Sequence, residues 1–322
     1  MLIKKYQKQF NESIASAENI YIMGHKNIDL DAFGASLGIY SYVKELNSKV
    51  AIIIDDEKLE SGVETILKKS KEKINYKKSK EVINKITKKT LLIIVDTNQS
   101  DRVPNEDLLE KIDNIIVIDH HEFGKKTIKK GYSLISKESS STCEIIVGLL
   151  SIENKTYEPL IMTALLSGII LDTGNFSINV KESTFSSAAY LIRNGADNKL
   201  AQTLLKQDIS NYLKQEEFLK NVKVINKIAI TSTNLNVYNR PEDLARMASR
   251  LMQFKGIKAS IVIGKLTDNK VGISARSFDE FNVGELMEKF SGGGDKNNAA
   301  TVVEKKSLKD IRRKIEKLIN KL

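Results

Sequence analysis

Cysteine occurs once in the 322 residues, at Cys143, so no internal disulfide forms and a reducing, cytoplasmic compartment is expected. The lone thiol reads as a buried core group. Proline occurs three times, at Pro104, Pro159 and Pro241, and neither a fixed-period repeat nor a low-complexity tract is present. Boundaries therefore rest on pattern shifts. Long apolar runs are missing as well. The longest, from Pro159 to Leu171, is broken by Thr163, Ser167 and Gly168 and falls short of the ~20 residues that span a bilayer. The opening MLIKKYQKQF lacks the apolar core of a secretory signal. A soluble cytoplasmic chain is expected, any membrane anchor lying on a flank or a partner. Charge and apolar residues are plentiful. With 41% hydrophobic and 29% charged residues, two packed domains are expected and whole-chain disorder is excluded. The net charge of +10 points to an anionic partner, nucleotide or nucleic acid, without choosing between them.

Short Ile- and Val-rich runs recur at Ile20 to Met23, Val50 to Ile54, Leu91 to Val95 and Ile115 to Ile118. Helical stretches such as Ala32 to Leu46 and Glu106 to Ile112 separate them. That alternation predicts a parallel α/β sheet buried on both faces. Ten lysines between Ser61 and Thr90 stand among Ile and Val at helical spacing, which reads as a solvated helix face. From Thr142 to about Tyr212 the pattern is helical, and the polar helical segment Asp208 to Leu219 precedes fresh strand signals at Val222 to Thr231 and Ala259 to Ile263. A domain boundary is expected there. The second domain reads as a helix from Pro241 to Phe254, a strand from Lys270 to Ala275 and a helix from Val283 to Phe290. A closing helix has Leu308, Ile311, Ile315 and Leu318 on one face.

All three histidines follow apolar strands and stand beside aspartates: His25 in GHKNIDLDAFG, and His120 with His121 in IVIDHHEFG. Asp96 ends LLIIVDTN. In an open α/β sheet, such side chains converge at the carboxyl ends of neighbouring strands, where ligands bind. The spacing of His25, Asp29 and Asp31 lets one turn direct all three into a pocket, and the helix beginning near Asp31 offers free N–H groups to an anion. Asp172, after the apolar run of LLSGIILDTGNFS, needs a cation or hydrogen bonds if buried. Taken as six strand-end residues, His25, Asp29, Asp31, Asp96, His120 and Asp172 supply a ligand set for two divalent metals. Mixed nitrogen and oxygen donors suit Mn²⁺, with Mg²⁺, Co²⁺ and Fe²⁺ as alternatives. Two metals about 3.5–4 Å apart share a carboxylate and activate a water for phosphoester cleavage. Asp96, on a central strand, is the expected bridge. Further along, Gly292, Gly293 and Gly294 allow backbone N–H groups to face an anion, and Arg276 can clamp a phosphate.

The elements GHKNIDLDAFG, VDTN, IDHH, GIILDTGNFS and ISARS with its GGG loop together resemble the DHH phosphoesterases that carry a DHH-associated C-terminal domain. The form of these motifs is most similar to the catalytic part of bacterial cyclic di-AMP phosphodiesterases. The resemblance implies an α/β fold: an N-terminal parallel-sheet DHH domain (1–205), a helical linker (206–225) and a smaller C-terminal α/β substrate-binding domain (226–322), with an interdomain active-site cleft. It implies that His25, Asp29 and Asp96 hold one Mn²⁺, and Asp31, Asp96, His120 and Asp172 the other. His121 would contact the scissile phosphate and Asp119 would orient it. Arg276, Ser274, Gly292, Gly293, Gly294 and Asn298 would bind substrate. The expected partners are a small cyclic or linear adenine dinucleotide and short RNA, with a homodimer left open. The implied reaction is hydrolysis of cyclic di-AMP to pApA; oligoribonuclease or 3′-phosphoadenosine 5′-phosphate phosphatase activity is the alternative, and a degenerate nucleotide-binding homologue a third. Two departures bear on substrate choice: Asn98 replaces the histidine of the usual DTH, and Asp295 replaces that of the usual GGGH.

Overall fold

The structure, a computed structural model, describes residues 2–70, 73–153, 155–206, 209–233, 239, 241–278 and 281–320. It divides into two compact units, Met1–Lys206 and Gln207–Leu322.

In the first unit, six strands form one parallel sheet: β1 (Asn19–Met23), β2 (Val50–Ile53), β3 (Tyr76–Lys77), β4 (Thr90–Val95), β5 (Asn114–Asp119) and β6 (Tyr132–Ile135). Successive residues of a strand point to opposite faces, so Ile20 and Ile22 of β1 enter one core while Tyr21 and Met23 enter the other. Among the described residues, nine helices accompany the sheet: α1 (Leu2–Ser16), α2 (Leu30–Leu46), α3 (Ser61–Ser70), α4 (Ser79–Val82), α5 (Asp107–Lys111), α6 (Thr142–Leu150), α7 (Pro159–Asp172), α8 (Glu182–Arg193) and α9 (Asn198–Leu204). The strand order is β3-β2-β1-β4-β5-β6. The chain leaves β1 to one side and returns on the other at β4, and between such strands the crossing helices part and leave a crevice at the carboxyl ends.

Helices α2 and α7 pack closely through glycines. A Cβ on Gly34 would lie 2.7 Å from the carbonyl oxygen of Ala164 and 2.9 Å from Cys143 Sγ. One on Gly168 would lie 2.5 Å from Cys143 Sγ and 2.9 Å from the Cα of Asp31. Cys143 is buried between them.

The lysine-rich stretch departs from the single solvated helix face expected over Ser61 to Thr90. Helix α3 ends at Ser70; the edge strand β3 pairs Tyr76 with Ile52 of β2, and α4 and a 3₁₀ turn at Ile83–Lys85 follow. Two strand residues are too few to interrupt a helical pattern visibly, and a charged Lys77 suits a short edge strand.

The second unit carries β7 (Lys223–Ile225), β8 (Ile228–Ser232), β9 (Ala259–Thr267), β10 (Lys270–Ser277), β11 (Gly293–Gly294) and β12 (Asn298–Glu304) in the order β11-β12-β10-β9-β8-β7. Among the described residues, β8 and β9 pair in parallel and the other pairs are antiparallel. Helices α10 (Ile209–Lys220) and α11 (Pro241–Leu251) supply Phe218, Leu244, Met247 and Leu251 to one core. Helices α12 (Val283–Glu288) and α13 (Leu308–Ile319) supply Val283, Leu286, Ile311, Ile315 and Ile319 to the other, with Leu308 and Leu318 at its margin. Among the described residues, no helix is long and apolar enough to cross a membrane.

Two helical glycines should respond with opposite signs. Gly34→Val, which drives carbons into the Ala164 backbone, should lower unfolding stability by about 1–3 kcal/mol. Gly148→Ala, where an added Cβ meets nothing, should gain up to about 1 kcal/mol from helix propensity. Denaturant midpoints check both; equal effects would exclude the close α2–α7 approach.

Candidate metal centre

Each residue reaches the centre by a local device. β1 ends at Met23 and the turn after it carries His25. The Nδ1 of His25 stands 2.8 Å from the carbonyl oxygen of Lys26. A carbonyl only accepts, so Nδ1 carries the proton and Nε2 is turned toward the acids. It lies 3.6 Å from Asp29 Oδ2 and 3.4 Å from Asp96 Oδ2. Asp29 is the N-cap of α2: its Oδ1 accepts from the N–H groups of Asp31 and Ala32, both at 3.0 Å. That cap leaves Oδ2 facing His25. Asp31, the second residue of α2 and fully buried, accepts Cys143 N–H on Oδ1 and Thr142 N–H on Oδ2, both at 2.8 Å.

Asp96 follows β4 directly, is 3% exposed, and has a left-handed backbone with φ of 61°. Its two oxygens face different groups. Oδ2 looks toward His25, and Oδ1 lies 3.6 Å from His120 Nε2. His120 Nε2 is also 3.1 Å from Asp172 Oδ2, yet among the described residues it is buried without a hydrogen-bond partner. A ring nitrogen aimed among carboxylates at that range without bonding to one is placed as a cation ligand would be. Asp172 corrects one expectation, since it closes helix α7 and does not follow a strand. A run of about this length is buried equally well as an all-apolar helix.

Two donor groups result, His25 with Asp29 and Asp96, and Asp31 with His120 and Asp172, the donor atoms of each within 4.8 Å of one another. Asp96 also groups with Asp119, His120 and His121. The electrostatics fit a cation. Burial, with Asp96 and Asp172 nearby, pushes the Asp31 carboxyl well above the carboxylate range. Burial lifts Asp172 to about 6. For His120 burial acts against the charge, but Asp172 and Asp96 raise it to about 10. His25 is likewise raised, against its burial, by Asp29 and Asp96. Carboxylates crowded in this way favour uptake of positive charge, and a divalent ion supplies it in place of protons.

His121 stands at the rim with its side chain 45% exposed. Its Nδ1 is 2.7 Å from Asp119 Oδ1, which also accepts the N–H groups of His120 and His121. Asn98 is buried and donates to Asp119 Oδ2 at 2.7 Å.

In the second unit, Arg276 of β10 bonds to Ala275 O at 2.8 Å and to Ser274 Oγ at 3.3 Å. Among the described residues, no carboxylate lies within ion-pairing distance of it, and burial lowers its guanidinium against the pull of Asp295. The three glycines do not form one open loop. Gly292 N–H bonds to Met287 O, and Gly293 and Gly294 form β11. Asp295 Oδ1 accepts Asn297 N–H and Asn298 N–H, each at 2.7 Å, so the Asn298 amide is already engaged.

Residues 19–169 match the DHH family, N-terminal domain, and residues 221–321 match the DHHA1 domain. The chain belongs to the DHH family. It is 36% identical over 297 residues to the cyclic-di-AMP phosphodiesterase GdpP of Geobacillus thermodenitrificans, covering 90% of this chain and 45% of the relative. To the cyclic-di-AMP phosphodiesterase PdeA of Listeria monocytogenes it is 32% identical over 314 residues, covering 93% and 46%. The chain thus spans about half the length of these two relatives. The bifunctional oligoribonuclease and PAP phosphatase NrnA of Mycoplasma genitalium is 24% identical over 93% of each chain. An exopolyphosphatase-related protein of Bacteroides fragilis shares the fold, with a TM-score of 0.80 at 19% identity over 99% of this chain and 96% of its own.

Sequence reasoning missed the DHH unit's SSSTCE segment, Ser139 to Glu144. Ser141 caps α6 by accepting Glu144 N–H, and Thr142 donates its hydroxyl to Asp96 Oδ1 at 2.9 Å. The Ser141-x-x-Glu144 start signal before an apolar run marks the helix, but not its target.

Divalent cation should raise the Tm of this chain. At one hundred times the dissociation constant the gain is about 2.7 kcal/mol. Asp96→Asn, which tolerates the left-handed backbone, should lose most of that shift; a full shift in the variant would exclude Asp96 as a ligand.

Proposed function

We propose that this chain is a divalent-metal-dependent phosphodiesterase that hydrolyses cyclic di-AMP to pApA. The observation that carries the reading is Asp96, whose two carboxylate oxygens face two separate donor groups. Two relatives at 36% and 32% identity, both named cyclic-di-AMP phosphodiesterases, support the substrate class. In this reading His25, Asp29 and Asp96 hold one ion, and Asp31, Asp96, His120 and Asp172 a second; the mixed donors suit Mn²⁺. Bound there, such ions supply the positive charge that activates water and offsets the charge of a phosphodiester at neutral pH.

The chain's own groups supply the rest. Hydrolysis joins a water oxygen to phosphorus and releases the 3′ oxygen with a proton. Asp119 fixes the His121 ring through Nδ1 and favours its charged form, which leaves Nε2 as the proton donor to that oxygen. Arg276, with Ser274 beside it, is assigned to a substrate phosphate. Gly292, Gly293, Gly294 and Asn298 are assigned to shaping that substrate-binding part of the DHHA1 unit, because two of their N–H groups are bonded within the chain.

A second reading, hydrolysis of linear dinucleotides or short RNA, is favoured by the likeness to NrnA along nearly the whole of both chains. Parallel incubation of the chain and Mn²⁺ with cyclic di-AMP, pApA and a short RNA separates the two. Ring opening with accumulating pApA is expected; faster mononucleotide release from the linear substrates would replace the first reading with the second. Tight binding without turnover in any divalent metal would refute both. His121→Ala should lower kcat by about 10²–10⁴ while calorimetry shows cation binding retained; a near-normal kcat would remove His121 from proton transfer.

A further inference from the structure

We infer that Thr142 is a positioning residue that sets the orientation of the Asp96 carboxylate, and so the cation affinity of the donor groups its two oxygens face. The inference rests on the functional reading above. An aspartate carboxylate rotates broadly about its last torsion, and a quarter turn would aim neither oxygen of Asp96 along the line between His25 and His120. The left-handed backbone sets where the side chain starts but leaves that torsion open. Among the described residues, the carboxylate accepts one hydrogen bond, from Thr142 Oγ1 to Oδ1. That hydroxyl selects the orientation in which Oδ1 faces His120 and Oδ2 faces His25.

The donor is itself held rigidly. Thr142 is the first residue of α6 and fully buried. The turn before it is locked by Glu144, whose Oε2 accepts Ser140 N–H at 3.0 Å, Ser140 Oγ at 2.6 Å and Thr184 Oγ1 at 2.9 Å. The same helix start places the Thr142 and Cys143 N–H groups on the two oxygens of Asp31. Each of those oxygens keeps a second lone pair for a cation. One turn of backbone thus aligns the shared carboxylate and a carboxylate of the His120 group, whereas no α6 group touches His25 or Asp29 among the bonds described. The backbone N–H groups thus act on Asp31 alone, while the Thr142 hydroxyl acts through Asp96 on both donor groups.

The test is calorimetric titration of the full chain with Mn²⁺, without substrate and at fixed pH. Thr142→Val keeps the shape and removes the hydroxyl; Thr142→Ser keeps the hydroxyl. Wild type should take up Mn²⁺ in two steps. Thr142→Val should weaken both steps by roughly 10–100-fold, the usual scale for a residue that orients a metal ligand. Thr142→Ser should restore both. In turnover, Thr142→Val should lower kcat with little change in KM, because Thr142 is fully buried. If Thr142→Val does not fold by circular dichroism, Thr142→Ala carries the same comparison. Unchanged binding in the variant lacking the hydroxyl, or a weakening that Thr142→Ser shares, overturns the inference while leaving the functional reading standing. Absence of Mn²⁺ uptake by wild type overturns both.

Discussion

Four carboxylates and two imidazoles meet where β1, β4 and β5 end and α7 closes. Bringing like charges together out of water costs several kcal/mol per ion unless opposite charge is supplied. The fold supplies part of it without any cation. Helix α2 begins on Asp29 and helix α6 begins against Asp31, so two helix N-termini direct N–H groups at the acids most in need of them. Among the bonds described, Asp96 and Asp172 receive no backbone N–H, and they face the ring nitrogen of His120; these three define where a cation belongs.

That constraint explains the packing around the centre. For α6 to reach Asp31, and for α7 to deliver Asp172, both helices must pass within a side chain's width of α2. Gly34 and Gly168 make this approach feasible, with the Cys143 thiol filling the space between them. The glycines that look like packing details are thus the reason that residues 31, 96, 142 and 172 meet. The switch point of the sheet does the complementary work, placing the β1 and β4 ends side by side: Met23 lies opposite Ile94, and Val95 opposite Ile118 of β5.

Sequence alone carries the strands and most of the donors, because a run such as LLIIV followed by an aspartate is a local signal. The same logic misses β3 and β6, which are short edge strands whose identity depends on the neighbour they pair with. It also counts Asp172 among strand-end residues, although the pattern around it is helical and helix α7 ends there. Thr142 was illegible for a different reason: its partner Asp96 lies 46 residues away, and Asp31 lies 111 residues from the Thr142 amide. A threonine at a helix start looks like any other until the helix is docked. Asp295 is a milder case. An acid beside an anion-binding loop reads as repulsive, but its Oδ1 closes a local turn onto Asn297 and Asn298.

Asn98 bears on whether the replacement of a histidine weakens the centre. One amide N–H reaches Asp119 Oδ2, and the other is shared by the backbone oxygens of His121 and Glu122, at 3.2 and 3.3 Å. Gln99 in turn donates to Asn98 Oδ1. An imidazole could offer one N–H in that direction, so it would hold either Asp119 or the turn after it. The planar amide holds both, and it brings no charge to compete with His121 for Asp119. The support beneath His121 is therefore complete with asparagine, and the substitution gives no ground for a chain that binds nucleotide without cleaving it.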